Sequence, residues 1–264
     1  MDEIDALKNE VARLKAELEE TRKQSTQYLQ NVAHQLTAPL GAIKWSIEAL
    51  KDERVPIHRK KTLLSSVYSQ ATILVHLIKN FSLMSSLEAD HELGQFREQP
   101  EPVDPMLLSI NLVNDFQPQA YDQGIRIDVD NESFLKVFGT NALLIEKNLV
   151  SQAICNVLEN AVKYGDRDSR IHLIACSTAD AIGILIESTG IPIADVDRER
   201  LFERSFRGES ARQKVAAGTG FGLYLASRVL AFHQGHIEVQ TKGRVSRFTL
   251  MFPRKRLSGR KSHG

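Results

Sequence analysis

Cysteine is scarce in this chain of 264 residues, tryptophan occurs once, and no long apolar run is present. The two cysteines, Cys155 and Cys176, both sit in apolar stretches and read as reduced core residues, which excludes a disulfide framework. No CxxC or HExxH spacing occurs, so neither a zinc ribbon nor a zinc protease is encoded. No apolar stretch approaches the roughly 20 residues of a membrane span. The acidic, polar start does not fit a signal peptide. The expected location is therefore cytoplasmic, for the chain itself or as the cytosolic piece of something longer. A formal charge of +1 gives no pointer to nucleic acid. What remains is ordinary soluble composition, 42% apolar and 25% charged, in a length that allows one or two domains with real cores.

The organising stretch is Tyr28 to Leu40, YLQNVAHQLTAPL. Apolar residues recur at Val32, Leu36, Leu40, Ile43, Ile47 and Leu50, the stripe of a helix with one buried face. His34 lies two residues from Val32 and Leu36, about 200° round the helix and off that stripe. Its own face continues through Ala38, Gly41 and Trp45, where the small residues leave room for a second molecule. Pro39 removes one helical hydrogen bond and is expected to bend the helix just after His34.

Upstream, residues 1–28 carry a heptad. Ile4, Val11, Leu18 and Ser25 fall at one core position, and Leu7, Leu14, Thr21 and Tyr28 at the other, with charges between. This predicts a parallel coiled coil and hence a homodimer. Asn9 to Lys15, NEVARLK, resembles part of a yeast leucine zipper in the same register, so the segment is either a signalling helix or a fused one. Downstream, ERVPIH breaks the helix, and Leu63, Val67, Ala71, Leu74, Ile78 and Phe81 mark one face of a second. Two long helices with a short connection pack antiparallel, and two such hairpins make a dimeric four-helix bundle over residues 29–88. Residues 89–104 are polar and, with Pro105 next to them, bring three prolines together, a linker.

From residue 105 to 252 the pattern is mixed. Asp104 and Pro105 open a helix as N-cap and first-turn proline, and it ends near Gly124. IRIDVD, FLKVFG, ALLIEKNLV, IHLIACS, AIGILIES, HIEVQ and SRFTLMF read as strands, Gln152–Tyr164 and Leu223–Phe232 as helices. Residues 191–217 are polar and weakly periodic, a candidate mobile loop. The sum is α+β: an N-terminal coiled coil and helical hairpin, then an α/β sandwich with helices on one face of a mixed sheet. Residues 253–264 are a basic tail, expected to be disordered.

Two stretches carry chemistry. In Gly218, Thr219, Gly220, Phe221, Gly222 and Leu223 the glycines let backbone amides close on phosphate oxygens at a helix start. In ICNVLENAVKYG, Asn156, Asn160 and Lys163 are spaced four and three apart and share one helical face. Two amides and a lysine facing one way suit a magnesium polyphosphate, with Asn160 as the metal ligand and lysine as a point charge.

With these residues in place, the chain resembles the sensor histidine kinases of two-component systems over roughly residues 25–252. AHQLTAPL looks like their H box and NVLENAVKYG, ending in Tyr164 and Gly165, like their N box. LFERSFRG, with Arg204 and Arg207, looks like the F box of the nucleotide lid. GTGFGLYLASRVLAFHQGHIEV looks like the second glycine box with the helix and strand after it. The resemblance implies an ATP-binding domain of the histidine kinase, gyrase and chaperone type, with ATP and Mg2+ as ligands. It implies autophosphorylation of His34 aided by Gln35, then transfer to an aspartate in a response regulator receiver domain. Neither nucleic acid nor membrane enters as a partner of this stretch.

Three departures matter. Gln35 stands where the family usually has an acid; it can accept a hydrogen bond from the imidazole but brings no charge, so slow chemistry is expected. Ala38 replaces the polar residue that positions water for dephosphorylating a regulator, so little phosphatase activity is expected. IESTGIPI stands where the family shows an aspartate and two glycines: either Ser188 takes the aspartate position and Gly190 the first glycine, or Ile186 takes the aspartate position. Neither carries a carboxylate, and Glu187 should face the other side of its strand. Ser246 keeps a hydroxyl at the late threonine position. The alternative reading is a weakly active or inactive kinase-like scaffold that binds a response regulator or a partner kinase.

Overall fold

A computed structural model describes residues 2–52, 54–93, 99–215 and 218–259. Helices α1 (Asp2–Leu50) and α2 (Ile57–Leu93) fold back on each other across the break before Pro56. Helix α1 runs unbroken through Pro39. The seam within the hairpin buries Pro39 and Ser46 of α1 and Leu63, Ser69 and His76 of α2. Of the expected α1 stripe, Val32, Leu36, Ile43 and Leu50 are half-buried, while Leu40 and Ile47 are exposed. On α2, Leu64, Tyr68, Val75 and Ile78 are exposed as well. One chain thus covers only part of the apolar surface the two helices carry. Further up α1, Leu7, Val11, Leu14 and Leu18 are also exposed. The side chains of Ile4, Thr21, Ser25 and Tyr28 lie outside the described residues.

The second half is built from β1 (Glu101–Val103), α3 (Pro105–Asp122), β2 (Arg126–Val129), α4 (Asn131–Phe138), β3 (Asn141–Ile145) and α5 (Lys147–Tyr164). There follow β4 (Arg170–Ser177), β5 (Ala181–Thr189), α6 (Glu209–Lys214), α7 (Gly222–Phe232), β6 (His236–Lys242), β7 (Val245–Pro253) and β8 (Leu257–Gly259). Five strands form a mixed sheet in the order β2-β4-β5-β7-β6, in which only β2 and β4 run parallel. Period-two alternation turns Ile171, Leu173, Ile182, Ile184, Ile186 and Leu250 inward, against α5 and α7. Asp104 caps α3 as expected, its carboxylate accepting from the amides of Met106 and Leu107, both at 3.0 Å.

Several expectations are corrected. FLKVFG belongs to helix α4: Asp130 caps it by accepting from Ser133 N–H at 3.1 Å, Phe134 and Phe138 share its buried face, and Gly139 ends it at φ 56°. ALLIEKNLV is divided between β3 and the first turn of α5. The linker expected at 89–104 is shortened at both ends, because α2 continues to Leu93 and residues 101–103 pair with β3; residues 94–98 lie outside the described ones. The loop expected over 191–217 contains short 3-10 turns and α6. The tail is ordered to Gly259, since β8 pairs with β3. Buried Arg256 anchors it, donating to the carbonyls of His233 at 2.6 Å and Leu144 at 3.0 Å. His233 is wholly buried; its Nδ1 meets the Val229 carbonyl at 2.7 Å and its Nε2 accepts from Glu146 N–H at 3.0 Å. Residues 260–264 lie outside the described part.

The hairpin is docked on the second half through α2. Leu83 and Met84 join the same apolar cluster as Val113, Phe116 and Ile154. His76 lies against the Phe116 ring with centroids 5.0 Å apart. Burial first, and then Lys79, lower its pKa below 6.5, with Asp115 and a hydrogen bond to Gln152 pulling the other way. The native state therefore favours neutral imidazole, and the unfolded chain takes up the proton more readily. Stability is fully present above pH 6.5 and is lost as pH falls below it toward the native value. Thermal unfolding from pH 7.5 to 5 is expected to show the parent chain losing stability relative to His76→Phe, which packs on Phe116 without titrating. Parallel curves for the two proteins would contradict this.

Candidate functional site

Helix α5 supplies one wall of the site. Val150, Ile154, Leu158 and Val162 are wholly buried against the sheet and neighbouring helices. This fixes the rotation of the helix and turns Asn156, Asn160, Lys163 and Tyr164 into a cleft. The floor is the end of the sheet, where Ser188 of β5 and Ser246 of β7 are direct cross-strand partners on its inner face, next to Phe248. Gly190 follows Ser188 at a backbone crossing so close that a Cβ would lie 2.1 Å from the Tyr164 carbonyl oxygen. The opposite wall is the glycine turn, from which Gly218, Thr219, Gly220, Gly222 and Leu223 line the cleft. Gly220 has φ 71° and lies against the backbone of Ser205 and Phe206; a Cβ there would meet the Ser205 carbonyl carbon at 2.6 Å.

Most of the expected site residues are brought together here, and a few are not. Of the two candidates for the aspartate position, Ser188 lines the cleft and Ile186 is buried in the core. Glu187 faces the other side of the sheet and pairs with Arg247 at 2.5 Å. Phe221 is buried below the turn, with the Arg204 guanidinium 5.5 Å from its ring centroid. Arg207 reaches the cleft, but its guanidinium also binds lid backbone: it donates to the carbonyls of Gly218 (3.4 Å), Ala211 (3.1 Å) and Val215. Lys214 of α6 draws the same lid onto α5, donating to the carbonyls of Tyr164 at 2.8 Å and Gly165 at 2.6 Å, where a helix C-terminus favours a cation.

Glu159 and Lys163, four apart on α5, share the cleft. Burial pushes the Glu159 pKa up, partly offset by Lys163; burial pushes Lys163 down, partly offset by Glu159 and reinforced by Arg207. Among the described residues no group of three or more His, Cys, Asp or Glu side chains is gathered for a metal. The side-chain oxygens on offer in the cleft beside Lys163 are those of Glu159 and Asn160, a donor set that suits a hard cation carried in with phosphates.

Gln35, Leu77 and Asn80 of the hairpin complete the cleft. Gln35 of α1 points its amide at the glycine turn; the two backbone donors there assign the near atom as its carbonyl oxygen, which then accepts from the N–H of Gly218 at 3.2 Å and of Thr219 at 3.0 Å. The Gln35 oxygen, expected to accept from the imidazole, accepts here from the turn. His34 is exposed immediately beside it, just outside the cleft lining. Asn80 of α2 reaches Asn156, its Nδ2 donating to Asn156 Oδ1 at 2.7 Å. Sequence reasoning missed Asn80 and Glu159. Glu159 was within reach, lying three residues after Asn156 on the same helix; Asn80 belongs to another element far away in sequence and gave no signal.

Comparison with known proteins covers both halves. Residues 24–90 match the His Kinase A (phospho-acceptor) domain, and residues 145–256 match the Histidine kinase-, DNA gyrase B-, and HSP90-like ATPase. The chain is 30% identical over 227 residues to the Sensor-like histidine kinase SenX3 of Mycobacterium tuberculosis, covering 86% of this chain and 53% of that one. It is 30% identical over 238 residues to the Phosphate regulon sensor protein PhoR of Pseudomonas aeruginosa, covering 89% and 51%. The chain spans about half the length of the curated relatives it matches. Among solved structures, the Acinetobacter baumannii histidine kinase AdeS superposes with a TM-score of 0.53 at 18% identity, over 83% of this chain and 97% of that one, a likeness of fold.

The floor of the cleft generates a prediction about the base. A hydroxyl both donates and accepts, so Ser188 and Ser246 can serve the amino group of adenine or the carbonyl of guanine, whereas a carboxylate only accepts. ATP and GTP are expected to bind within about threefold of each other, and Ser188→Asp to favour ATP by about tenfold or more, as charge-assisted hydrogen bonds do. Calorimetry giving a strong ATP preference in the parent chain would count against this floor as the reader of the base.

Proposed function

This chain belongs to the sensor histidine kinases of two-component systems, and we propose that it binds ATP with Mg2+, phosphorylates its own His34 and passes the phosphoryl group to an aspartate in the receiver domain of a response regulator. It does so as a homodimer in the cytoplasm. The observation that carries the reading is the approach of Gln35 to the glycine turn, because it brings the exposed histidine next to it to the mouth of the nucleotide cleft.

The chemistry asks for positioning and charge more than for covalent help. Nε2 of neutral His34 attacks the γ-phosphorus in line with the bridging oxygen; a P–N bond forms as the P–O bond breaks, and ADP leaves with the electron pair. The imidazole, still protonated on Nδ1, carries the positive charge until that proton is lost. Lys163 supplies positive charge to the phosphates, and the N–H groups of the glycine turn supply donors once Gln35 yields them. Asn160 would hold magnesium through its amide oxygen. When bound, magnesium neutralises phosphate charge. Gln35 accepts a hydrogen bond but offers no counter-charge to the imidazolium, which makes the reaction slow.

Dimerisation is supported by the apolar residues that one chain leaves uncovered, Leu40, Trp45, Ile47, Leu64, Tyr68 and Ile78 in the hairpin and Leu7, Val11, Leu14 and Leu18 above it. Light scattering is expected to give twice the chain mass of 29.6 kDa at micromolar concentration. Replacing Leu14 and Leu18 by Glu should weaken the dimer. A monomer in the parent chain would refute the assembly.

With γ-labelled ATP and magnesium, the parent chain is expected to take up acid-labile, base-stable label slowly, and His34→Ala none. Gln35→Glu should label faster, on the order of 10²-fold, the scale of one well-placed electrostatic contribution. Label persisting in His34→Ala would refute the acceptor. No label in either the parent or Gln35→Glu would favour the scaffold reading instead.

A further inference from the structure

Three side-chain amides form a line between the hairpin and the nucleotide cleft. Gln152 Nε2 donates to Asn80 Oδ1 at 2.9 Å, and Asn80 Nδ2 donates to Asn156 Oδ1 at 2.7 Å. Gln152 also leans on the hairpin backbone, 3.4 Å from the His76 carbonyl. Gln152 and Asn156 are nearly inaccessible, at 4% and 2% exposure, so the line is shielded from water. All three amides are polarised in the same sense, from α5 through α2 and back to α5.

Asn156 Oδ1 accepts from Asn80, which turns the NH2 of the same amide the other way. Nδ2 is buried with no hydrogen-bond partner among the described residues. A buried donor without an acceptor is rare in folded proteins. This one belongs to a side chain that lines the cleft together with Lys163. The complement of such a donor is an acceptor-rich anion, and it is the wrong end of the amide for a cation.

We propose that Asn80 is a positioning residue for phosphoryl transfer: by holding Asn156 Oδ1 it turns the Asn156 NH2 toward a phosphoryl oxygen of the bound nucleotide. This rests on the kinase reading above. The orientation exists only while the hairpin is docked, because Asn80 belongs to α2 and Asn156 to α5. When the hairpin leaves, the Asn156 amide is free to turn over. Docking of the phospho-acceptor domain thereby completes the donor set of the nucleotide domain.

Asn80→Asp reverses the line in the dimer of the whole 264-residue chain. Aspartate still accepts from Gln152 but can only accept from Asn156, which must then turn its oxygen to the cleft. His34 labelling is expected to slow on the order of 10²-fold, the usual loss for one preorganised donor, while the dissociation constant of a non-hydrolysable ATP analogue stays within about twofold. Asn80→Ala should slow labelling too, and combining it with Asn156→Ala should add nothing to Asn156→Ala alone. By NMR, the Asn156 side-chain NH2 should shift on adding the magnesium-loaded analogue to the parent chain and not to Asn80→Asp. Parent-rate labelling in Asn80→Asp, additive losses, or the same shift in both proteins would overturn the assignment. A parent chain that binds the analogue but takes up no label defeats the kinase reading alone, and the NH2 shift still decides the role of Asn80.

Discussion

The burial of α5 is the constraint on which the site depends. Four of its side chains, Val150, Ile154, Leu158 and Val162, are wholly inaccessible, and burying each is worth about 1.5–3 kcal/mol. A helix pinned this firmly cannot rotate. Asn156, Asn160 and Lys163 therefore stand at fixed places without spending interactions of their own on position. The same rigidity makes the cleft an unfavourable place for charge, and both Glu159 and Lys163 feel it as a shift toward their neutral forms. Such a site is ready to gain from an anion and its cation, which relieve the desolvation of the groups already there.

Around this fixed wall the other parts are held by contacts a ligand can replace. The lid is fastened by Arg207 and Lys214 to backbone carbonyls. The glycine turn gives two amide protons to Gln35. These are hydrogen bonds to neutral oxygens, and phosphate oxygens compete for the same donors with full charge. Gly220 explains why the turn can lie so near the lid, since any side chain there would strike the backbone of Ser205. The nucleotide cleft and the phospho-acceptor hairpin thus meet across a layer of amides, not across an apolar seal.

The hairpin shows the complementary situation. Its inner seam is lined in part by small and polar residues such as Ser46 and Ser69, while several of its larger apolar side chains remain uncovered within one chain. That distribution is the reverse of a self-sufficient pair of helices and fits a bundle that is completed by another copy. At Leu83 and Met84 α2 enters the main core, and there it couples the bundle to α3 and α5.

Periodicity and spacing made the two-part architecture, the capped start of α3, the shared face of Asn156, Asn160 and Lys163, and the glycine turn readable in the sequence, because each depends on residues within a few positions of one another. FLKVFG reads as a strand in sequence because a short apolar run does not distinguish the two periods; Asp130 and Gly139 decide for a helix. The ordered tail was hidden because basic residues suggest solvent, whereas Arg256 is held by carbonyls of residues far away in the chain. Ser188 and Ile186 share one face of their strand, so alternation does not separate them; only the three-dimensional structure shows that Ser188 lines the cleft while Ile186 lies in the core. Asn80, Gln35 on the glycine turn and the sense of the Asn156 amide were beyond local pattern altogether. The sequence by itself determined which side chains a single helix or turn could present. Tertiary structure decided which of them meet, because contacts between a hairpin and a cleft are made by packing in space, and no local rule carries their separation.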